Sequence, residues 1–400
     1  MVKVLFENTK VPIKLWLNDI EDGALQQAQN AANLPFIFNH LAVMPDAHQG
    51  YGICIGGVLA TEGVVIPNAV GVDIGCGMCA IKTSLHIRNF TKDIQIKILD
   101  KIREVIPVGK KHQKEAQSKA LMPNEINIRY VVEREYSSAL KQLGTLGGGN
   151  HFIELQKDTN GCIWIMIHSG SRNLGKQVCD YYDKLAIYLN EKWHTKVPKE
   201  WQLAFLPLDS QEGQDYLREM QYCVDFALAN RKLMMNRIIG ILVDIVCNSV
   251  NEKADFMRYI LDNEMINIAH NYASMEHHFG KDVMIHRKGA TLAREGTIGI
   301  IPGSQGTKSY IVKGLGNPDS FESCSHGAGR TMSRTKAQAN LNLAEEIKKL
   351  DDQGIIHGIR TVNDLDEASG AYKNIDEVME NQKDLVKILV ELQPLAVIKG

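Results

Sequence analysis

The sequence predicts an α+β fold, built as one domain over residues 1–400. Three observations predict it. Short apolar runs broken by glycine turns fill residues 1–85 and return at 282–314, which is strand patterning. Residues 211–275 have helical composition with few breakers. The polar residues that look chemical are spread from position 46 to 399, which favours one composite unit around a central cleft over two independent modules. No internal repeat, low-complexity tract or obvious linker interrupts the chain.

Residues 1–7 turn acidic too soon for a signal peptide and read as a first strand. Val43 to Gly52 reads as a loop between two apolar runs. Val64 to Pro67 and Ala69 to Val72 lead into Asp73-Ile74-Gly75-Cys76-Gly77. Residues 91–106 read as an amphipathic helix. A glycine loop at 147–150 precedes a strand from Phe152 to Leu155, and Cys162 to Ile167 is a buried strand ending at His168. Residues 176–192 look helical. Within 211–275, Leu217, Met220, Cys223, Val224, Phe226, Ala227 and Ala229 recur roughly at helical spacing. The helical reading extends to Ile266, Ala269, His270 and Ala273, which would share one face and turn the histidine inward. Helical patterns resume at 335–350 and 374–392. The apolar run from Leu395 to Ile398 reads as a last strand docked in the core, which would carry Lys399 to an interior position.

Apolar content of 44% and charged content of 23% are those of a folded globular protein. No run of about 18 apolar residues suggests a membrane span. The eight cysteines are scattered, so a reducing cytoplasm is expected and a disulfide framework is not. Cys76 and Cys79 have CxxC spacing, but no second pair completes a structural zinc site. A net charge of −2 argues against a generic, charge-driven nucleic-acid binder. It leaves room for an enzyme whose basic groups are gathered in one cleft.

Five residues form a candidate metal set. Asp73 and Cys76 share a tight glycine loop after an apolar strand. His151 follows the triple glycine, His168 ends the next strand, and His270 points into protein. Carboxylate, thiolate and imidazole together suit Mn, Fe, Co or Zn rather than Mg or Ca alone. A thiolate could bridge two ions, a common arrangement for phosphoryl chemistry. Taken singly, His270 reads more readily as a core histidine than as a ligand, and Asp73 equally as a turn residue.

Four glycine loops carry polar or basic residues: Gly147 to Asn150, His168 to Arg172, Pro302 to Ser309, and Ser325 to Arg330. None is a P-loop or a dinucleotide fingerprint. Each could cradle an anion through backbone N–H groups, and each could be an ordinary turn. The last places His326 among small residues, close to Arg330 and Arg334. A neutral imidazole is a competent nucleophile toward phosphorus, and arginines hold phosphate oxygens in a planar fork. His286-Arg287-Lys288 adds a basic cluster that would be unremarkable as a solvated turn.

Together these motifs resemble the RtcB family of RNA ligases. The matching segments are MPDAHQGYG at 44–52, DIGCG at 73–77, GGGNHFIE at 147–154 and HSGSR at 168–172. They continue with AHN at 269–271, HRKGAT at 286–291, PGSQGTKSY at 302–310, SCSHGAGR at 323–330 and the KG at 399–400. The set spans nearly the whole chain in the family's order. The resemblance implies mixed β-sheets around a central metal and nucleotide cleft, with flanking helices and a long helical insertion near 211–275. It implies joining of RNA ends with a 2′,3′-cyclic phosphate or 3′-phosphate to a 5′-hydroxyl, using GTP and two Mn2+ ions. His326 would be the guanylated nucleophile. Asp73, Cys76, His151, His168 and His270 would bind manganese, with Cys76 bridging. Asn150, Glu154, Ser304, Ser309, Ala328, Gly329, Tyr372 and Lys399 would contact the guanylate. Arg172, Arg330 and Arg334 would meet RNA or triphosphate oxygens. The need for an activating protein partner is left open, and residues 107–145 look more individual.

Two other readings compete. A metal-dependent phosphoesterase that only opens cyclic phosphates would use the same Asp/Cys/His set, but leaves His326 and Lys399 without a task. A non-catalytic RNA-binding protein would call for a basic face rich in aromatics. The chain has 6% aromatic residues and no net positive charge, so that reading ranks low.

Overall fold

The computed structural model describes residues 3–124, 128–247 and 249–400. Along Cys162–Ser169, Ile163, Ile165 and Ile167 alternate with Trp164, Met166 and His168. A period of two gives this strand two different faces. It lies inside a seven-stranded sheet ordered Ile266–Ala269, Gly77–His86, Cys162–Ser169, Phe152–Asp158, Val386–Lys399, Ser309–Gly314 and Ile298–Ile301, with every pair antiparallel. The isoleucine face, with Cys79, Ile81, Ile153 and Leu155, packs on Ile98, Leu99 and Ile102 of helix Lys92–Val105 and on Met234, Met235 and Ile238 of helix Gln211–Val246. The opposite face carries Met78, Phe152, Trp164 and Met166. Register sets Lys399 opposite Phe152, Phe152 opposite His168, and His168 opposite Met78. Directly paired residues point the same way, so one row crossing four strands delivers Lys399 and His168 to one face.

A second sheet has six strands, ordered Lys3–Leu5, Ile13–Leu15, Ile37–His48, Ile55–Thr61, Lys281–Lys288 and Asn271–His278. Only the Ile13–Leu15 and Ile37–His48 strands pair in parallel. The two sheets are joined through His270, which follows one strand of the first and precedes one strand of the second. Its N–H donates to Cys76 O (2.8 Å) and its carbonyl accepts from Ala290 N (3.2 Å). Where strands Gly77–His86 and Ile266–Ala269 meet, a Cβ at Gly77 would fall on the carbonyl oxygen of Ile268. Only glycine allows this approach.

The 36-residue helix Gln211–Val246 spans about 54 Å at 1.5 Å per residue. Ser210 caps it by accepting from Gly213 N (3.0 Å). Its first half packs in a cluster with Tyr182, Leu174 and Val178 of helix Arg172–Lys192, and its second half packs on the central sheet. Among the described residues no helix is long and apolar enough to cross a membrane.

The α+β expectation holds, and four local readings are corrected. Residues 266–278 form two strands rather than a helix. Ile266 and Ile268 alternate along a sheet edge, and pairing with Gly77–His86 outweighs the weak helical spacing built on two alanines. Helix Ile375–Asn381 ends early, and Val386–Lys399 is a long strand with a register shift between Pro394 and Ala396. The expected 43–52 loop is mostly strand, since Ile37–His48 continues through Asp46. His286, Arg287 and Lys288 are 1%, 0% and 7% exposed, so this cluster is an interior strut and no solvated turn. Residues 1–2 of the expected first strand lie outside the described residues.

Candidate active site

The loop that follows helix Pro67–Val70 presents Asp73 and Cys76 to the end of strand Gly77–His86. Asn271 Nδ2 donates to Asp73 O (3.0 Å), and Gly75 N donates to Asn271 O (2.8 Å). From the other side, Arg231 of the long helix donates through Nη1 to Gly75 O (3.0 Å) and Ser169 O (2.8 Å). Its neighbour Asn230 accepts from Gly144 N (2.7 Å) and Thr145 N (3.1 Å) and donates to Gly170 O (3.2 Å). One helix turn therefore fixes three loops around the same point.

Four of the five candidate ligands meet in short contacts. Cys76 Sγ lies 3.4 Å from His151 Nε2 and 3.2 Å from His168 Nε2, and His151 Nε2 lies 3.1 Å from Asp73 Oδ2. The His270 ring centroid is 5.2 Å from that of His168 and completes the set. The donor atoms fall into two triads, Asp73–Cys76–His151 and Cys76–His168–His270, each within 4.8 Å, with the thiol common to both. His151 donates Nδ1–H to Leu146 O (3.0 Å) and His168 donates Nδ1–H to Asn150 O (3.1 Å). Those bonds turn Nε2 of each ring toward the cluster, the usual support of a metal-bound histidine.

The electrostatics agree with that role. Burial, then the charges of neighbouring histidines, push the imidazolium forms of His168 and His270 well down, so both rings are neutral. Burial and the Asp73 charge push the Cys76 thiol well up. Burial works to raise Asp73, but the hydrogen bond and charge of His151 outweigh it and hold this carboxyl at about 2. Lone pairs on the neutral rings of His168 and His270, on sulfur and on carboxylate oxygen thus gather at close range, and His270 Nδ1 is buried with no hydrogen-bond partner. One thiol proton cannot satisfy all of them. The donor set fits two borderline divalent cations sharing a thiolate.

His326 stands beside this cluster, its ring centroid 4.7 Å from that of His270. Strand Ser323–Ser325 pairs with Ala290–Leu292 and delivers it. Its Nδ1 donates to Asp46 Oδ2 (2.6 Å), and its backbone N donates to the same oxygen (3.2 Å). Asp46 is fully buried. A proton held on Nδ1 leaves Nε2 as the free lone pair. Ala328 and Gly329 follow in the same loop, with Gly329 (φ +75°) packed on the Asp46 backbone.

The remaining candidates gather on the side of Lys399. Its Nζ lies 5.7 Å from the centroid of the Phe152 ring. Glu154 is pushed up to about 7 by burial, against the pull of Gln156 and Lys399. Gln156 Nε2 reaches Glu154 Oε2 (2.6 Å) and Ser309 Oγ (3.2 Å), while Ser304 N donates to Thr307 Oγ1 (2.7 Å). Arg330 and Arg334 bind the buried carboxylate of Glu367 at 2.9 Å and 2.7 Å, Tyr372 OH donates to it, and Lys399 Nζ lies 4.0 Å away. Arg172, left-handed at φ +60°, donates to Thr145 Oγ1 (3.1 Å) and Gly109 O (3.1 Å) with its guanidinium over Gly147. Asn150 contributes the carbonyl that orients His168.

Sequence reasoning missed Asp46, Glu367, Asn230 and Arg231. Asp46 lay inside a quoted motif, but nothing local ties it to a residue 280 positions away. Glu367 sits in an unremarkable acidic stretch, and Arg231 reads as one more charge on a helix.

Comparison with known proteins gives one answer. The family profile described as tRNA-splicing ligase RtcB matches residues 27–128 and 122–400. RNA-splicing ligase RtcB of Escherichia coli K12 is 38% identical over 414 residues, covering 99% of each protein. The tRNA-splicing ligase RtcB proteins of Nanoarchaeum equitans and Methanococcus maripaludis are 32% and 31% identical. They align with 98% and 97% of this chain and with 95% and 93% of their own lengths.

Proposed function

The chain belongs to the RtcB family and is an RNA-splicing ligase, and we propose that it joins RNA 2′,3′-cyclic phosphate or 3′-phosphate ends to 5′-hydroxyl ends with GTP. The observation that carries this reading is the Asp46–His326 pair, set 4.7 Å ring to ring from His270 of the candidate metal cluster. Hydrolysis alone would need the cluster and have no use for a histidine oriented in this way.

Asp73, Cys76 and His151 would hold one cation, and Cys76, His168 and His270 a second, with the thiol proton lost on binding. Manganese bound there would stabilise charge developing on phosphoryl oxygens. His326 Nε2 attacks the α-phosphorus of GTP, forms an N–P bond and breaks the bond to pyrophosphate. Asp46 holds the other ring proton and stabilises the positive charge on the imidazole. An RNA 3′-phosphate oxygen then takes the guanylyl group from His326, making a pyrophosphate linkage. The 5′-hydroxyl oxygen attacks the RNA phosphorus, its proton is lost, and GMP leaves. A cyclic phosphate is first opened by water. Asn150, Glu154, Ser304, Ser309, Ala328, Gly329, Tyr372 and Lys399 would hold the guanylate. Arg172, Arg330 and Arg334 would meet RNA or triphosphate oxygens. Eight free cysteines, six of them buried, suit a reducing cytoplasm.

Incubation with α-labelled GTP and manganese tests the assignment. Label should appear on protein as an acid-labile, base-stable phosphoramidate and be absent from His326→Ala. Label that persists on that variant sinks the nucleophile.

A further inference from the structure

Cations from separate parts of the chain meet at Gly147-Gly148-Gly149, directly before Asn150 and His151. The Arg172 guanidinium lies over Gly147, and a Cβ at Gly149 would come within 2.6 Å of Arg334 Nη2. Between them, a Cβ at Gly148 would sit 3.6 Å from Gly109 Cα. Gly109 opens a stretch that carries Lys110, Lys111, Lys114 and Lys119 against a single acid, Glu115.

A run of charge is most often a solvated face, but two features separate this one. First, its backbone is fixed. Gly109 N donates to Gly147 O (2.7 Å), and Lys111 N closes a turn onto Val108 O (3.2 Å). Further along, Gln113 N reaches Lys141 O (2.8 Å) and Gln113 Nε2 reaches Gly144 O (3.0 Å). Gln117 N bonds Leu140 O (3.0 Å), and its side chain accepts from Arg237 Nη2 (2.6 Å). Second, its charges are unneutralised. All four lysines are exposed within ten residues of chain, and among the described residues no ion pair engages them. In a chain of net charge −2, four exposed lysines on a pinned loop beside the candidate metal ligands are a local concentration of positive charge.

We propose that residues 108–119 form the docking surface for backbone phosphates of the single-stranded RNA that leads into the active site, with Lys110 and Lys111 nearest the reacting end. Arg172 continues the same line of positive charge inward. Lysines suit this task because they act as point charges on phosphates and read no sequence, and ends to be joined vary in sequence. The inference rests on the ligase reading of the site.

The test measures affinity for a labelled, single-stranded RNA bearing a 3′-phosphate between 50 and 300 mM KCl. Wild-type protein is compared with Lys110→Ala/Lys111→Ala and with Lys110→Glu/Lys111→Glu. Histidine guanylylation is followed in parallel on each. Two lost phosphate contacts should flatten the slope of log K against log salt by about 1.4 and weaken binding ~20-fold at 0.1 M. The charge reversal should weaken it further, with guanylylation from GTP unchanged in both. Slopes equal to wild type in variants that still guanylylate overturn the docking surface. Wild-type protein that takes up no label overturns the reading of the site itself.

Discussion

Replacing Asp46 by Asn isolates the contribution of a carboxylate to the proposed nucleophile, His326. The substitution keeps volume and shape at a fully buried position, so the loop around His326 should stay in place. In the native chain Asp46 Oδ2 accepts from His326 Nδ1 at 2.6 Å, a charge-assisted bond. Such bonds contribute about 1.5–3 kcal/mol net. Loss of that term alone would slow guanylylation about 10- to 150-fold. An asparagine can do more damage, because its NH2 can donate to Nδ1 and drive the ring proton to Nε2. That tautomer has no lone pair for phosphorus, and an equivalent swap in a serine-protease triad lowers turnover about 10,000-fold. We therefore expect a loss of 100-fold or more in the single-turnover rate of label transfer from α-labelled GTP. Manganese content should stay at the wild-type level, since Asp46 belongs to neither ligand triad. Guanylylation within threefold of wild type would refute the argument that Asp46 sets the tautomer.

Three further outcomes follow from the geometry. Cys76→Ala should lower bound manganese from two ions to one or none by elemental analysis, because both triads share its sulfur; two ions retained would contradict the bridge. Arg231→Lys keeps a charge but cannot span Gly75 O, Ser169 O and Asn267 Oδ1; it should cost about 2–4 kcal/mol in denaturation and weaken manganese binding, and an unchanged metal affinity would show that the fork is not needed to align the loops. Burial works to raise the Glu276 carboxyl, but hydrogen bonds from His278 and Arg287 and the Arg287 charge outweigh it and hold it well below its ordinary 4.5. A depressed folded-state value stabilises above the unfolded value and is lost as pH falls through the folded one. Wild type should therefore exceed Glu276→Gln in melting temperature at pH 7, with the gap narrowing below pH 4.5; a gap independent of pH would rule out the carboxylate as its source.

The strand and helix patterns that depend on neighbours in sequence were legible where one periodicity dominated. Helix Lys92–Val105 and strand Cys162–Ser169 appear where the apolar spacing placed them. Spacing failed at Ile266–Ala269 and Val386–Lys399, where a neighbouring strand supplies the deciding contacts. It failed also at Lys288, where an ammonium that reads as surface donates to Tyr51 O (2.5 Å) and Asn68 O (2.9 Å) inside the protein.

What the sequence determined by itself was the inventory: one thiol, one carboxylate and three imidazoles in glycine loops, a histidine among small residues, and an order of motifs specific to one family. Only the tertiary structure decided how they act together. It made Cys76 common to two triads, gave His326 a buried carboxylate, and gathered Arg330, Arg334, Tyr372 and Lys399 around Glu367. The physical reason is reach. A side chain chooses its rotamer and its proton from what lies within about 3 Å, and those partners here stand up to 280 residues away along the chain.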